Sequence, residues 1–116
     1  MISLNVGGIF FVTSRETLQN TNSGFFHSLV TNSPSEQTDF FIDRDPQTFR
    51  YILNYLRGVR HLPSDVDTLK DLLQESEFYL LPALSSSIRQ AIRESPPSTE
   101  QSLVNIAIAL GGSQTK

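Results

Sequence analysis

The sequence predicts an α+β domain, in which a small three-stranded sheet is followed by a cluster of helices. Apolar and polar residues alternate over residues 2–6, and a second apolar run follows Gly7-Gly8, which is typical of two strands joined as a hairpin. A third short strand pattern, FFI, occupies residues 40–42. Beyond it, the apolar spacing changes to the periodicity of amphipathic helices.

Two short helices are predicted between the hairpin and the third strand. Thr13 lies three residues before Glu16, which is the capping-box spacing, and this predicts that a helix begins there. Asn22 or Ser23 is suited to cap the second helix. Residues 31–38 are polar and include a proline, so we expect a loop before the third strand.

The helix after the third strand has the clearest boundaries. Asp45 is a favourable N-cap, Pro46 suits the first helical position, and Gly58 stands where a C-terminal glycine is common. The apolar residues between them follow helical spacing and are Phe49, Ile52, Leu53 and Leu56. We therefore expect an amphipathic helix between Asp45 and Gly58.

Two more helices are predicted in the second half of the chain. Ser64 or Asp65 is expected to cap the first, whose apolar positions are Val66, Leu69, Leu72 and Leu73. Pro82 is expected to begin the second, whose apolar positions are Leu84, Ile88 and Ile92.

The length of 116 residues favours one domain with one core. We assign residues 1–94 to that domain and residues 95–116 to a linker and tail, because the linker begins with the sequence SPPST. Residues 103–110 fit a strand about as well as a helix, and both alternatives stay open.

The composition argues against several classes of function. The net charge of −3, the isoelectric point near 5.2 and the presence of only Lys70 and Lys116 as lysines argue against nucleic-acid binding. The absence of cysteine excludes disulfides and thiolate ligands and fits a reducing compartment, so we expect a cytoplasmic location. No apolar run approaches the roughly 18 residues of a membrane span, so we expect no membrane contact by this chain.

No group of residues points to a catalytic, cofactor or metal site. Gly7-Gly8 lacks the further glycines of a phosphate-binding loop, and a hairpin turn that needs positive φ explains both residues. His27 and His61 are far apart in sequence without a second ligand at metal spacing, so we expect both on the surface. The sequence therefore predicts no enzyme, no catalytic residue, no cofactor and no metal ligand.

Two other groups of polar residues have simple structural explanations. Asp43 and Asp45 alternate at a strand end and therefore point apart, and Arg44 between them is expected to keep either one ionised. The serines at positions 85–87 lack the context of a nucleophile, so we expect them on the solvated face of the last helix.

Charged residues divide into a basic segment and an acidic segment. Arg44, Arg50, Arg57 and Arg60 lie in the first, and Asp65, Asp67, Asp71, Glu75 and Glu77 lie in the second. One interpretation is that these are ordinary solvated helix faces. The other is a head-to-tail contact between copies, in which a basic face meets an acidic face. Under the second interpretation the candidate subunit-interface residues are Arg44, Asp45, Arg57, Asp71, Glu75 and Glu77.

Three blocks of sequence resemble a known family. They are LNVGGIFFVTSRETL (4–18), FIDRDPQTFRYILNYLRG (41–58) and LLQESEFYLLPAL (72–84). In this order and spacing they resemble the tetramerisation-type BTB/POZ domain, over roughly residues 2–93. The FIDRDP and ILNYLR segments are more similar to the soluble KCTD family than to voltage-gated potassium channels.

The resemblance implies a BTB/POZ fold and a protein-binding, homo-oligomerising function. It favours the head-to-tail contact, which closes into a tetramer or a pentamer in this family. It also implies an adaptor that recruits a cullin-type ubiquitin-ligase scaffold. The alternative is the cytoplasmic tetramerisation domain of a voltage-gated potassium channel, which a membrane segment encoded after Lys116 would identify.

The chain departs from the resembled family at two points. Many channel tetramerisation domains carry a histidine and cysteine zinc set at the subunit boundary, and this chain has no cysteine, so metal-free assembly is expected. Ile9 replaces a residue that is usually polar in the family, and we expect it either to pack under a neighbour or to stand exposed.

A candidate partner-binding residue lies in the second predicted helix. Phe26, Leu29 and Val30 share one helical face, which the core is expected to bury. Phe25 lies on a different face and is therefore the candidate exposed anchor for a cullin, with burial in the core as the alternative.

Overall fold

The computed structural model describes residues 1–21 and 23–95, and the expected α+β architecture is confirmed in them. The open question over residues 103–110 and the candidate cap Asn22 lie outside the described residues. In chain order the elements are β1 (Ile2–Val6), β2 (Ile9–Thr13), α1 (Arg15–Gln19), α2 (Gly24–Thr31), β3 (Asp39–Ile42), α3 (Pro46–Leu56), α4 (Val66–Phe78) and α5 (Pro82–Glu94).

The sheet has the strand order β2-β1-β3. β1 pairs with β2 as the predicted antiparallel hairpin, and its turn uses the two glycines at φ values of 57° and 101°. β3 pairs parallel to β1, and α1 and α2 form the crossover connection that a parallel pair requires.

One face of β1 forms the floor of the core. Ile2, Leu4 and Val6 are each at most 1% exposed, as their alternation with polar residues predicts. Phe40 and Ile42 of β3 also belong to the core, and the helices and their ends supply most of the rest. The largest buried side chains there include Phe26, Phe49, Ile52, Leu53, Leu69, Leu72, Tyr79 and Ile88.

The helix boundaries predicted from capping residues are confirmed for three helices. Ser23 caps α2 through the Phe26 amide, Asp45 caps α3, and Asp65 caps α4. Hydrogen bonds from the Thr68 side chain and backbone to the Asp65 carboxylate lower the pKa of Asp65.

Two local predictions were wrong. Thr13 does not cap α1, because it is the last residue of β2, where it pairs with Ile2; Ser14 is the cap and accepts from the Thr17 amide. Ser85 is not on a solvated face, because α5 packs against α4 and buries it to 4% exposure.

Within residues 1–21 and 23–95, none of the helices combines the length and the apolarity needed to cross a lipid bilayer.

Candidate interaction surfaces

The side of the sheet that faces away from the core carries exposed aromatic residues. The strand register places Phe10 and Phe41 on either side of Asn5, and Val12 and Asp39 on either side of Ser3. Phe10 is 68% exposed, Phe41 is 64% exposed and Val12 is 47% exposed. We call these six residues the outer sheet face.

The outer sheet face is concave along its centre. Ser3 and Asn5 on β1 are small and polar, and the rings of Phe10 and Phe41 flank them. A shallow depression of about 390 Å³ lies there, with Asp39 at its border. An apolar side chain of another protein could fill this depression and cover both rings, which water covers in the isolated chain.

A second group of apolar residues, two exposed and one half-buried, lies where α4 ends near the start of α2. It consists of Phe25, Phe78 and Leu80, which we call the aromatic corner. The rings of Phe25 and Phe78 are 5.3 Å apart, and both also contact the ring of buried Tyr79. The Ser23 hydroxyl donates to the Tyr79 carbonyl at 2.6 Å, which fixes α2 against the end of α4.

Leu80 has a backbone conformation that is unusual for its residue type. Its φ is 57°, and the Leu81 amide donates to the Ser76 carbonyl at 2.9 Å in the manner of a Schellman motif. Glycine is the usual residue at this position, because a side chain there costs roughly 1–2 kcal/mol. The Leu80 side chain nevertheless stands 55% exposed.

A groove of about 550 Å³ runs beside Leu80 between the end of α4 and the start of α5. Gly24 forms part of its lining, and a Cβ there would lie 3.3 Å from Leu80 Cδ1. The rim is polar, since Glu77 and Arg89 form an ion pair at 2.7 Å across it. The groove therefore combines an apolar anchor with a charged border.

The structure places Phe25 between the two alternatives of exposure and burial in the core. Phe25 is half-buried, because its ring packs between α2 and the end of α4 and contacts Phe26 and Tyr79 at centroid distances near 5.1 Å. Phe78 and Leu80 are the more exposed members of the same group. A role of Phe25 in partner binding stays a prediction, now as one part of the aromatic corner.

The pair Arg44 and Glu75, predicted at a subunit interface, meets within one chain. Arg44 Nε donates to Glu75 Oε1 at 3.1 Å, and the second guanidinium nitrogen donates to Oε2. Hydrogen bonding to Glu75 raises the pKa of Arg44. The Arg44 side chain makes its hydrogen bonds to α4 and not to the neighbouring Asp43 or Asp45.

The other predicted interface charges have separate surroundings. Glu77 pairs with Arg89 of the same chain, Asp45 is engaged as the cap of α3, and Arg57 donates to the Val12 carbonyl at the edge of β2. Asp71 is exposed and makes no ion pair with the part of the chain that the structure describes. Their participation in a subunit contact stays a prediction.

Tyr79 is the one buried side chain of the described residues whose polar atom lacks a hydrogen-bond partner. The residue is 0% exposed, and its hydroxyl has no donor or acceptor among those residues. Burial, followed by the charge of Glu75, raises the pKa of Tyr79 well above its usual value.

Both histidines are exposed, as predicted from the sequence. The His27 ring lies 3.1 Å from the Gln19 carbonyl, and His61 follows α3 at a distant position in the chain. The described residues contain no cluster of three potential metal-ligating side chains.

Sequence reasoning missed the outer sheet face and the role of Phe78 and Leu80. A signal for the first was present, since β2 reads IFFVT, an apolar run with no polar alternation on a strand that has a neighbour on one side only. No comparable signal marked Leu80, whose exposure depends on its backbone conformation.

Comparison with known proteins agrees with the resemblance seen in the three sequence blocks. Residues 2–88 match the BTB/POZ domain family. Over 106 residues the chain is 34% identical to the BTB/POZ domain-containing protein KCTD5 of Homo sapiens, which covers 86% of this chain and 45% of that protein.

Two further relatives carry similar names. The chain is 33% identical over 111 residues to KCTD9 of Mus musculus, covering 90% of this chain and 33% of that protein. It is 32% identical over 112 residues to KCTD21 of Homo sapiens, covering 92% and 43%. The chain thus spans less than half the length of these curated relatives. It belongs to the KCTD-type BTB/POZ family, whose domains are protein-interaction and oligomerisation modules.

Proposed function

We propose that this chain is the assembly and docking domain of a cytoplasmic KCTD-like adaptor, which forms a closed tetramer or pentamer and recruits a cullin-type ubiquitin-ligase scaffold. The observation that carries the proposal is the presence of two separate exposed apolar surfaces on a KCTD-type BTB/POZ domain. A ring that also binds a scaffold needs separate surfaces for the two contacts.

The outer sheet face is the surface that we assign to self-assembly. Phe10 and Phe41 are large, exposed and separated by one strand on the same face, and soluble proteins usually cover such patches. A second copy of the chain is the occupant that the family's oligomerising function favours. Arg57 at the edge of β2 and Asp71 on α4 are the predicted interface residues that we assign to the charged rim of this head-to-tail contact.

The aromatic corner is the surface that we assign to the cullin scaffold. An apolar helical face of a partner can lay side chains into the groove beside Leu80 and against the exposed ring of Phe78, which lies outside the groove lining. The strained backbone of Leu80 supports this assignment, since strain of this kind concentrates at functional positions.

Light scattering after size exclusion tests the assembly. The native chain is expected to elute with the mass of four or five copies, and the double variant Phe10→Asp with Phe41→Asp with the mass of one. Val59→Asp is the matched control, because Val59 is 41% exposed and lies outside the sheet. A native chain that is monomeric at tens of micromolar would sink the assembly proposal.

Calorimetric titration with a cullin N-terminal domain tests the docking. The native chain is expected to bind, and Leu80→Asp and Phe25→Asp are expected to weaken binding while mass and folding are unchanged. Val59→Asp, which lies outside both surfaces, serves as the control for a general effect of an added carboxylate. No heat of binding from the native chain, with a known adaptor binding in parallel, would refute the adaptor role.

Assembly in the presence of a chelator tests the metal-free prediction. Treatment with EDTA is expected to leave the mass of the oligomer unchanged, since the chain has no cysteine to complete a zinc set. Dissociation by EDTA, or stoichiometric zinc in elemental analysis, would contradict it.

A further inference from the structure

The backbone of Arg44 is fixed by the hairpin turn and the start of α3. Its amide donates to the Ile42 carbonyl at 3.0 Å, and the next residue, Asp45, caps α3. A Cβ on Gly7 would lie 2.5 Å from the Arg44 carbonyl oxygen, so the hairpin approaches this residue as closely as a glycine permits. The Arg44 side chain therefore starts from a rigid point.

The side chain of Arg44 contacts two residues of α4 at the same time. Its guanidinium makes the paired hydrogen bonds to Glu75, and its central carbon lies 4.0 Å from the centroid of the Phe78 ring. Glu75 and Phe78 are three positions apart, which places them on one face of the helix. The carboxylate thus holds the planar guanidinium over the aromatic ring.

Phe78 is 39% exposed. The rings of Phe25 and Tyr79 contact it at centroid distances of 5.3 Å and 4.9 Å, and the Arg44 guanidinium is the third group that restrains its ring. An exposed aromatic side chain binds a partner more tightly when its rotamer is set before binding, because less entropy is then lost.

We propose that Arg44 is a positioning residue, which holds the Phe78 ring in the orientation that the aromatic corner presents to its partner. The proposal rests on the docking role assigned to that corner. It replaces the interface role that the charge pattern suggested for Arg44 and Glu75 with a role inside one subunit.

The first test follows the Phe78 ring itself. 4-Fluorophenylalanine is placed at position 78, and its ¹⁹F resonance is compared in the native chain, in Arg44→Lys and in Arg57→Lys. Lysine keeps a positive charge beside Glu75 but lacks the planar guanidinium. The resonance is expected to shift toward that of the free amino acid in Arg44→Lys and to stay in place in Arg57→Lys, whose parent arginine contacts a backbone carbonyl and no ring.

A second variant covers the case in which Arg44→Lys does not fold. Arg44→Met combined with Glu75→Met removes both charges and keeps similar side-chain volumes, so no unpaired buried charge is left. The same shift of the ¹⁹F resonance is expected. An unchanged resonance in the folded variant would overturn the positioning role, whether or not a cullin binds.

The second test measures binding to the cullin N-terminal domain. Arg44→Lys is expected to weaken binding by roughly two- to fivefold, which is the size of an exposed cation–π contact. In a Phe78→Leu background the same substitution is expected to have no further effect, because the two residues act through one contact. A loss of the same size in both backgrounds would contradict the proposal. If the native chain binds no cullin, the adaptor function fails, and the ¹⁹F resonance still decides whether Arg44 orients Phe78.

Discussion

The outer sheet face and the aromatic corner both expose apolar side chains, but they are built differently. Phe10 and Phe41 stand on either side of small polar residues of β1 and have no ring contact with each other. Phe78, in contrast, lies within a cluster of rings and beneath the guanidinium of Arg44. The first surface is suited to being covered permanently by another copy, and the second is rigid enough to bind a separate partner.

The difference predicts unequal contributions of two arginines to stability. Arg44→Ala is expected to lower the free energy of unfolding by about 2 kcal/mol, because it leaves the Glu75 carboxylate, 7% exposed, without its partner. Arg57→Ala, at the edge of the outer sheet face, is expected to cost under about 1 kcal/mol. Urea unfolding at one protein concentration measures both. Equal losses of unfolding free energy in the two variants would mean that the Arg44–Glu75 ion pair stabilises the fold no more than the Arg57 hydrogen bond does.

Tyr79, which packs beneath the aromatic corner, is expected to make stability depend on alkaline pH. The folded protein holds the pKa of Tyr79 above its unfolded value near 10, so the unfolded state loses the proton first and stability falls as pH rises above about 10. The slope approaches about 1.4 kcal/mol per pH unit for one group.

The control for the alkaline measurement is Tyr79→Phe. This variant lacks the hydroxyl that has no partner among the described residues, so its free energy of unfolding at neutral pH is expected to rise by about 1 kcal/mol. Its alkaline slope should be smaller than that of the native chain. Urea unfolding, monitored by circular dichroism, measures the free energy of unfolding at each pH. An identical dependence on pH in the two proteins would rule out Tyr79 as the source.

Two substitutions of Leu80 separate an effect on stability from an effect on binding at the aromatic corner. Asparagine tolerates a positive φ better than alanine does, so Leu80→Asn is expected to be more stable than Leu80→Ala by about 0.5–1 kcal/mol. Both variants lack the apolar anchor and should bind the cullin domain equally poorly. Thermal unfolding and calorimetry measure the two effects. A less stable asparagine variant would show that the side chain, and not the backbone, determines stability here.

The smallest effect is expected on the outer sheet face. Phe10→Thr should change the free energy of unfolding of the isolated subunit by within about 0.5 kcal/mol, because the ring is already 68% exposed and threonine suits a strand. The measurement requires a monomeric protein, so Phe10→Thr is made in a chain that also carries Phe41→Asp, which is expected to weaken assembly. A loss above about 2 kcal/mol would mean that Phe10 supports the fold of a single subunit.

Elements whose signals lie close together in sequence were predicted well. The hairpin, the caps Ser23, Asp45 and Asp65, and the glycine after α3 all follow from interactions between residues a few positions apart. The wrong cap at Thr13 arose because strand pairing with Ile2 lengthened β2 by one residue more than the local pattern suggested. The spacing between Thr13 and Glu16 does not show that Thr13 pairs with another strand instead.

The charge pattern was the least informative guide to the site. Arg44 and Glu75 are 31 positions apart and meet because α3, which begins two residues after Arg44, packs against α4. Glu77 meets Arg89 because α4 and α5 pack side by side. A one-dimensional separation of basic and acidic residues does not distinguish contacts within a chain from contacts between chains. The assignment of subunit contacts to charges was therefore weaker than the assignment of the fold.

By itself, the sequence determined the family, the order of elements and the main apolar positions of β1 and the long helices, because periodicity and capping act between neighbouring residues. Only the tertiary structure decided which exposed residues lie on the same surface. Phe10 and Phe41 join one surface through strand pairing, and Phe25 and Phe78 join another through helix packing. The physical reason is that burial and ion pairing depend on distances in space, which packing between distant segments sets.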